Sequence, residues 1–168
     1  MAHNATAGIS ATILRDEVKS KLTGQLNQPG ASGNWVYKTD NCPVSPATLF
    51  NTNDEFFGNL TASDSVAATD PIYWLAIKNL GIRAVGGNTK TTEGIMINYA
   101  GAAPIYNGTD SNDNSNMLIG PGELFVVRFN GVLVEDVQIG TVAFSGFSKA
   151  SSIGLNTVAY SAAAIIDG

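Results

Sequence analysis

The sequence predicts an all-β protein, with an antiparallel β-sandwich or jelly-roll-like domain over residues 34–168. A short N-terminal arm, a helix and a linker occupy residues 1–33 ahead of it. Two stretches carry this expectation: Asp70-Pro-Ile-Tyr-Trp-Leu-Ala-Ile-Lys-Asn-Leu-Gly81 and Ile119-Gly-Pro-Gly-Glu-Leu-Phe-Val-Val-Arg-Phe129. Each sets a rigid turn element (Pro71; Pro121 with Gly120 and Gly122) directly before a run of aromatic and branched apolar side chains, as buried strands do. Composition agrees. Charged residues are 14% of the chain, below the roughly 25% usual in soluble domains, and polarity comes from Asn, Thr, Ser and Gly, which suit turns and sheet edges.

Taken in order, residues 1–8 are small and polar and read as a flexible arm. Ser10 can cap a helix over Ser10–Leu22, in which Leu14, Val18 and Leu22 recur at i+4 and line one face. Asp16 and Glu17 precede Lys19 and Lys21, matching the helix dipole, and Gly24 can end the element. Asn27-Gln-Pro-Gly-Ala-Ser-Gly33 then reads as a linker.

Trp35–Lys38 and Thr48–Phe50 are short strand candidates, separated by the turn-rich Asp40-Asn-Cys-Pro43. Ile72–Asn79 is apolar on both faces, Ile72, Trp74 and Ala76 on one and Tyr73, Leu75 and Ile77 on the other, so it should be a central, doubly covered strand. Gly94–Tyr99 alternates and should be half-exposed. Residues 100–116 form a polar excursion. Asn130-Gly131 predicts a two-residue hairpin between Glu123–Phe129 and Val132–Val134. Gln138–Phe144 and Thr157–Ile166 complete seven or eight strands at the spacing of a sandwich or jelly roll.

The chemical inventory argues against an enzyme. His3 is the only histidine and sits in the arm, so a serine or cysteine nucleophile has no base at a structured position. Cys42 is the only cysteine, which excludes an intrachain disulfide and fits folding in a reducing cytosol. Glu93, Glu123 and Asp136 are ordinary for strand ends and loops. Asp110-Ser-Asn-Asp-Asn114 alternates oxygen ligands, but Ser115 and Pro121 stand where a calcium loop needs glycine and glutamate, so it reads as a solvated loop tip. No catalytic, cofactor-binding or metal residues are expected.

The formal net charge is −5, with Lys and Arg scattered singly, which disfavours direct nucleic-acid binding. No window has the roughly 18 apolar residues of a membrane span, and Met1–Ser10 lacks the features of a secretory signal. Trp35, Tyr37, Tyr99, Tyr106 and Tyr160 could build a sugar-binding platform, although strands use such residues for packing.

Three elements occur in order: Tyr73-Trp-Leu-Ala-Ile-Lys-Asn-x-Gly81, Ile95-Met-Ile97, and the strand launched by Gly120-Pro-Gly-Glu-Leu-Phe125. Followed by a late strand of small residues, this layout resembles small β-sandwich virion structural proteins of tailed phages, including capsid decoration (cement) proteins. The likeness covers about Ile72 to Ile166 and leaves out the helix. It implies a non-enzymatic component located on the capsid surface after synthesis in the host cytoplasm. Its implied partners are the major capsid protein and copies of itself, with a trimer around a lattice axis as the expected assembly. The Leu14, Val18 and Leu22 face then either docks on a neighbour or covers one end of its own sandwich, at roughly 1.5–3 kcal/mol per fully buried side chain. The alternative is a carbohydrate- or receptor-binding module of a phage tail or fibre.

Overall fold

The computed structural model describes residues 3–15, 18–31, 34–56, 65–83, 89–99, 116–143 and 156–167. Among them, ten strands form three sheets, and all the pairings are antiparallel. Strands β1 (His3–Arg15) and β2 (Val18–Ala31) make a two-stranded ribbon. Strands β3 (Asn34–Cys42), β5 (Pro71–Arg83), β8 (Leu124–Leu133) and β10 (Val158–Ile166) form sheet I in the order β3-β10-β5-β8. Strands β4 (Ala47–Thr48), β6 (Glu93–Asn98), β7 (Asn116–Ile119) and β9 (Gln138–Ala143) form sheet II in the order β4-β9-β6-β7. A single 3-10 turn, Val134–Asp136, is the helical element among the described residues.

The helix expected over Ser10–Leu22 is not what forms; strands β1 and β2 run through that segment. The reason lies in a second periodicity. Ala5, Ala7, Ile9, Ala11 and Ile13 alternate with Asn4, Thr6, Gly8, Ser10 and Thr12, a period-two pattern rich in β-branched residues that suits one half-buried face of a ribbon. The i+4 spacing of Leu14, Val18 and Leu22 competes with this pattern and loses to cross-strand pairing. Register sets Leu14 opposite Lys19, Val18 opposite Arg15 and Leu22 opposite Ala11. The three thus hold register positions on two paired strands and not successive turns of one helix. His3 stands opposite Ala31 at the start of the ribbon rather than in a free arm, and Asn27–Ala31, expected in a linker, belongs to β2.

The two stretches that predict the sandwich interlock. Strand β5 is paired on both sides, by β10 and β8, as a central strand should be. Its buried side chains divide between faces: Ile72, Leu75 and Ile77 join the main core, whereas Trp74 joins a separate cluster with Ile165. Ile72 and Trp74 share parity yet face opposite ways because the register against β10 slips by one residue between them, Ile72 pairing with Ile166 and Trp74 with Ile165, while against β8 they pair with Val132 and Arg128. The extra residues of β8 in that interval include Asn130 and Gly131, so the expected two-residue hairpin there is an irregularity within one continuous strand. Gly131 takes a positive φ of 78°, which a bulge needs as much as a turn does.

One core joins the sheets. Val36, Leu75, Ile77, Ala162, Ala164 and Ile166 from sheet I and Ile95, Ile97, Ile119 and Ile139 from sheet II belong to the same cluster of buried side chains. Strand β6, expected to be half-exposed, is buried at every position from Glu93 to Asn98. Its outward residue Met96 is covered in a smaller cluster with Val142 and Leu118. Alternation reports which face a side chain takes, not whether another layer covers it.

Candidate functional site

Titratable and nucleophilic groups come first, since any reaction would need them. Cys42 is fully buried on β3, its Sγ 3.8 Å from the Pro43 carbonyl oxygen. Burial pushes its thiol pKa far up, which opposes thiolate chemistry. Lys38 and Asp54 form a largely buried ion pair at 3.0 Å, with the ammonium 5.3 Å from the centroid of the Phe50 ring. Glu93 is used structurally: its carboxylate accepts from the backbone amide of Asn156 at 3.0 Å and from Asn156 Nδ2 at 2.6 Å. Among the described residues, no group of three or more His, Cys, Asp and Glu side chains is arranged to hold a metal ion. No helix there is long and apolar enough to cross a membrane. The loop Asp110–Asn114 and Tyr106 lie outside the described residues.

The surface with functional character is the outward face of sheet I. Register lays its residues in rows across the sheet. Trp35, Ile165, Trp74 and Arg128 form one row, Tyr37, Ala163, Ala76 and Val126 the next, and Thr39, Ser161, Lys78 and Leu124 a third. The first row is covered: Ile165 is fully buried and Trp74 is 6% exposed. Trp35 meets Trp74 edge-to-face with ring centroids 5.6 Å apart, and Ala7 of the ribbon packs against this cluster. Trp74 Nε1 is buried there with no hydrogen-bond partner.

The second and third rows are open. Ala163 and Ala76 make a low, half-buried floor. Tyr37, 62% exposed, stands on the β3 side and Leu124, 61% exposed, on the β8 side. The result is a shallow trough along β10 and β5, floored by Ala163 and Ala76 in the second row and by Ser161 and the exposed Lys78 in the third. Beside it the Thr39 hydroxyl lies 3.1 Å from Tyr37 Oη and 3.0 Å from Ser161 Oγ. These hydrogen bonds, that of Thr39 first and that of Ser161 second, lower the Tyr37 pKa.

Of the expected aromatic platform, Tyr160 is buried in the core. Tyr99 is half-buried, its ring 5.4 Å from Phe129, and Trp35 is held against Trp74. Tyr37 is thus the exposed ring among those described. Of the other residues that make the trough, Leu124, Val126 and Ala163 were not singled out from sequence. Leu124 and Val126 alternate with Phe125 and Val127, so both faces of β8 are apolar, and that double hydrophobicity was the available signal.

No family model, curated protein or solved structure matches this chain.

Proposed function

We propose that this protein is a non-enzymatic virion structural protein of the tailed-phage type, a capsid decoration protein that stabilises a phage head by bridging capsid subunits. The fold behind this reading is a β-sandwich of the jelly-roll kind. Counting β3 to β10 as strands one to eight, sheet I runs 1-8-3-6 and sheet II runs 2-7-4-5. Two nested Greek keys generate that order, and jelly rolls recur in viral capsid and lectin domains. Fold alone assigns no function.

The observation that carries the reading is the apolar cluster on the outward face of sheet I, Trp74 and Ile165 with Trp35, Ala76, Val126 and Ala163, on which the ribbon lies through Ala7. A protein acting alone has little use for a second apolar layer outside its core, whereas a lattice component needs such a surface. The low proportion of charged residues, 14% of the chain, reduces repulsion on packing into an assembly. The protein would fold in the host cytoplasm and act on the capsid surface.

The test uses expanded phage capsids lacking the protein. Purified chain should bind them saturably and raise their melting temperature, since a ligand that binds only the assembled state stabilises it. Absence of saturable binding overturns the reading.

A further inference from the structure

We propose that Asn130 is a site of spontaneous self-modification in the folded chain: the backbone nitrogen of Gly131 attacks its side-chain carboxamide and converts the residue to a mixture of aspartate and isoaspartate. This goes beyond the capsid reading and does not depend on it.

The site lies where β8 leaves its ladder. Strand β5 gives partners to Leu124–Arg128 and, after the slip, to Val132 and Leu133, but to none of Phe129, Asn130 and Gly131. Extra residues of this kind form a bulge, in which the ladder is locally disrupted. The neighbours of Asn130 are nonetheless anchored. The Phe129 ring lies 5.4 Å from that of Tyr99. A Cβ built on Gly131 would stand 3.6 Å from Pro71 Cβ and 3.8 Å from Tyr73 Cε1, so the glycine backbone rests against β5. Between them Asn130 is exposed, on an edge strand of sheet I, and its carboxamide is open to water.

The reacting atoms are already tethered, since the ring that closes consists of Cγ, Cβ, Cα and the carbonyl carbon of Asn130 with the nitrogen of Gly131. Gly131 N loses its proton to solvent and bonds to Asn130 Cγ. The Cγ–Nδ2 bond breaks, and the side-chain nitrogen leaves as ammonia after taking a proton from water. Water then opens the cyclic imide at one of its two carbonyls. Opening at Cγ restores the ordinary main chain with an aspartate side chain, whereas opening at the main-chain carbonyl leaves the chain running through Cβ and Cγ as isoaspartate. No oxidant, reductant or cofactor takes part.

Glycine carries no Cβ to crowd the approach to its own nitrogen. Closure also turns the Cα–C bond of Asn130, and a residue without a ladder partner can make that turn by a local opening that leaves the rest of the sheet paired. Other asparagines lack these conditions. Asn79 is fully buried, its carboxamide is bonded to Glu93, Ile119 and Gly81, and Leu80 follows it. Asn98 is also fully buried and precedes Tyr99. Asn107-Gly108, the second Asn-Gly pair of the sequence, lies outside the described residues.

The product adds one negative charge to a chain whose formal net charge is −5. The isoaspartyl form also lengthens the main chain of β8, in an interval that already holds residues without partners on β5. The bulge can therefore take up the change while the paired parts of β8 stay in register.

The experiment ages the full chain at physiological temperature, once folded and once unfolded in urea, in neutral and in mildly alkaline buffer. Peptide mass spectrometry follows the acid formed at residue 130 and separates it from any formed at residue 107. Labelling by an isoaspartyl methyltransferase reports the isoaspartate. Conversion at Asn130 in the folded chain should proceed within about fivefold of its rate in the unfolded chain, because the site needs only local opening. It should quicken with pH, since the attacking nitrogen must lose its proton. Asn130→Gln, an exposed substitution, should abolish the acid at that position and leave the melting curve unchanged. A folded chain that converts more slowly than that limit overturns the proposal, because the strand then protects the site. Aspartate without isoaspartate also overturns it, since direct hydrolysis by water would bypass Gly131.

Discussion

The amide of Gly122 donates to the carbonyl of Asn79 at 3.0 Å, and the amide of Asn79 in turn donates to the carbonyl of Glu123 at 3.0 Å. This exchange locks the Gly120-Pro-Gly-Glu123 turn onto the end of β5. The Asn79 side chain extends the lock into sheet II. Its Nδ2 donates to the carbonyls of Glu93 and Ile119, both at 3.2 Å, and its Oδ1 accepts from the Gly81 amide at 2.8 Å. Glu123 closes the turn from the other side, with Oε2 2.6 Å from the Gly120 amide. Two motifs far apart in the chain form one polar joint between the sheets.

Replacing Asn79 with Ala should therefore be costly. It leaves the Glu93 and Ile119 carbonyls and the Gly81 amide without their partner in a fully buried place. A loss of about 2–4 kcal/mol is expected from deleting partners of several buried groups. Urea denaturation measures it, and a change below about 0.5 kcal/mol would show that the joint contributes little.

Backbone conformation predicts a contrast among glycines. Gly81 and Gly122 have φ values of 69° and 81°, so Gly81→Ala and Gly122→Ala should each cost about 1–2 kcal/mol in left-handed strain. At Gly81 the new Cβ would also sit 3.4 Å from the Gly122 amide nitrogen and 3.5 Å from Pro121 Cβ, an ordinary contact that adds little. Gly8→Ala meets nothing within 4 Å and should stay within about 0.5 kcal/mol of the parent, as exposed substitutions usually do. Thermal melts of the three variants decide whether this order holds.

The ion pair of Lys38 and Asp54 should respond asymmetrically. Asp54 Oδ2 also accepts from the Asn51 amide at 2.8 Å. Asp54→Ala strands an ammonium that is only 12% exposed and should cost about 2–4 kcal/mol. Lys38→Met keeps an apolar stem over Phe50 and leaves Asp54 its amide partner, so about 1–2 kcal/mol is expected. Equal losses in the two variants would mean that packing, not charge, dominates this corner.

Alkaline pH should weaken the fold. Burial raises the pKa of Cys42, and burial followed by the charge of Asp40 raises that of Tyr160. Both groups are neutral when protonated, so the folded chain holds these protons at pH values where the unfolded chain releases them. The resulting stability is complete below the unfolded cysteine pKa of about 8.5 and declines above it, with the tyrosine adding to the slope above about 10. A single such group contributes a slope of about 1.4 kcal/mol per pH unit once past its unfolded pKa. Cys42→Ala should flatten the curve between about pH 8.5 and 10, and Tyr160→Phe should flatten it above that. A thiol reagent should label Cys42 only as the chain unfolds.

How far the chain could be read in advance depended on the range of the interaction involved. Strand β5 was legible because Pro71 and the apolar run after it are neighbours in sequence, and its central position between β10 and β8 fits that run; its outward face, expected to be covered, is buried at Trp74 but half-buried at Ala76 and exposed at Lys78. Strand β10 was legible from a different local signal, a long run of small and apolar residues that alternates in part. Local signals misled where two periodicities overlapped. Leu14, Val18 and Leu22 have helical spacing, yet residues 5–13 alternate, and pairing with β2 selected the strand. Asn130-Gly131 has the composition of a hairpin, yet β5 runs alongside the whole of Leu124–Leu133 and holds it as one strand.

The candidate surface was not legible, and the reason is physical. Tyr37, Ala163, Ala76 and Leu124 are separated by long stretches of chain and meet only through the registers of β3, β10, β5 and β8. Residue type and alternation settle which side chains turn away from the core. Strand order settles which of them become neighbours, and the path of the ribbon settles which are covered. Composition and local spacing carry the all-β character of this chain; its joint at Asn79 and its open trough exist only once distant strands are paired.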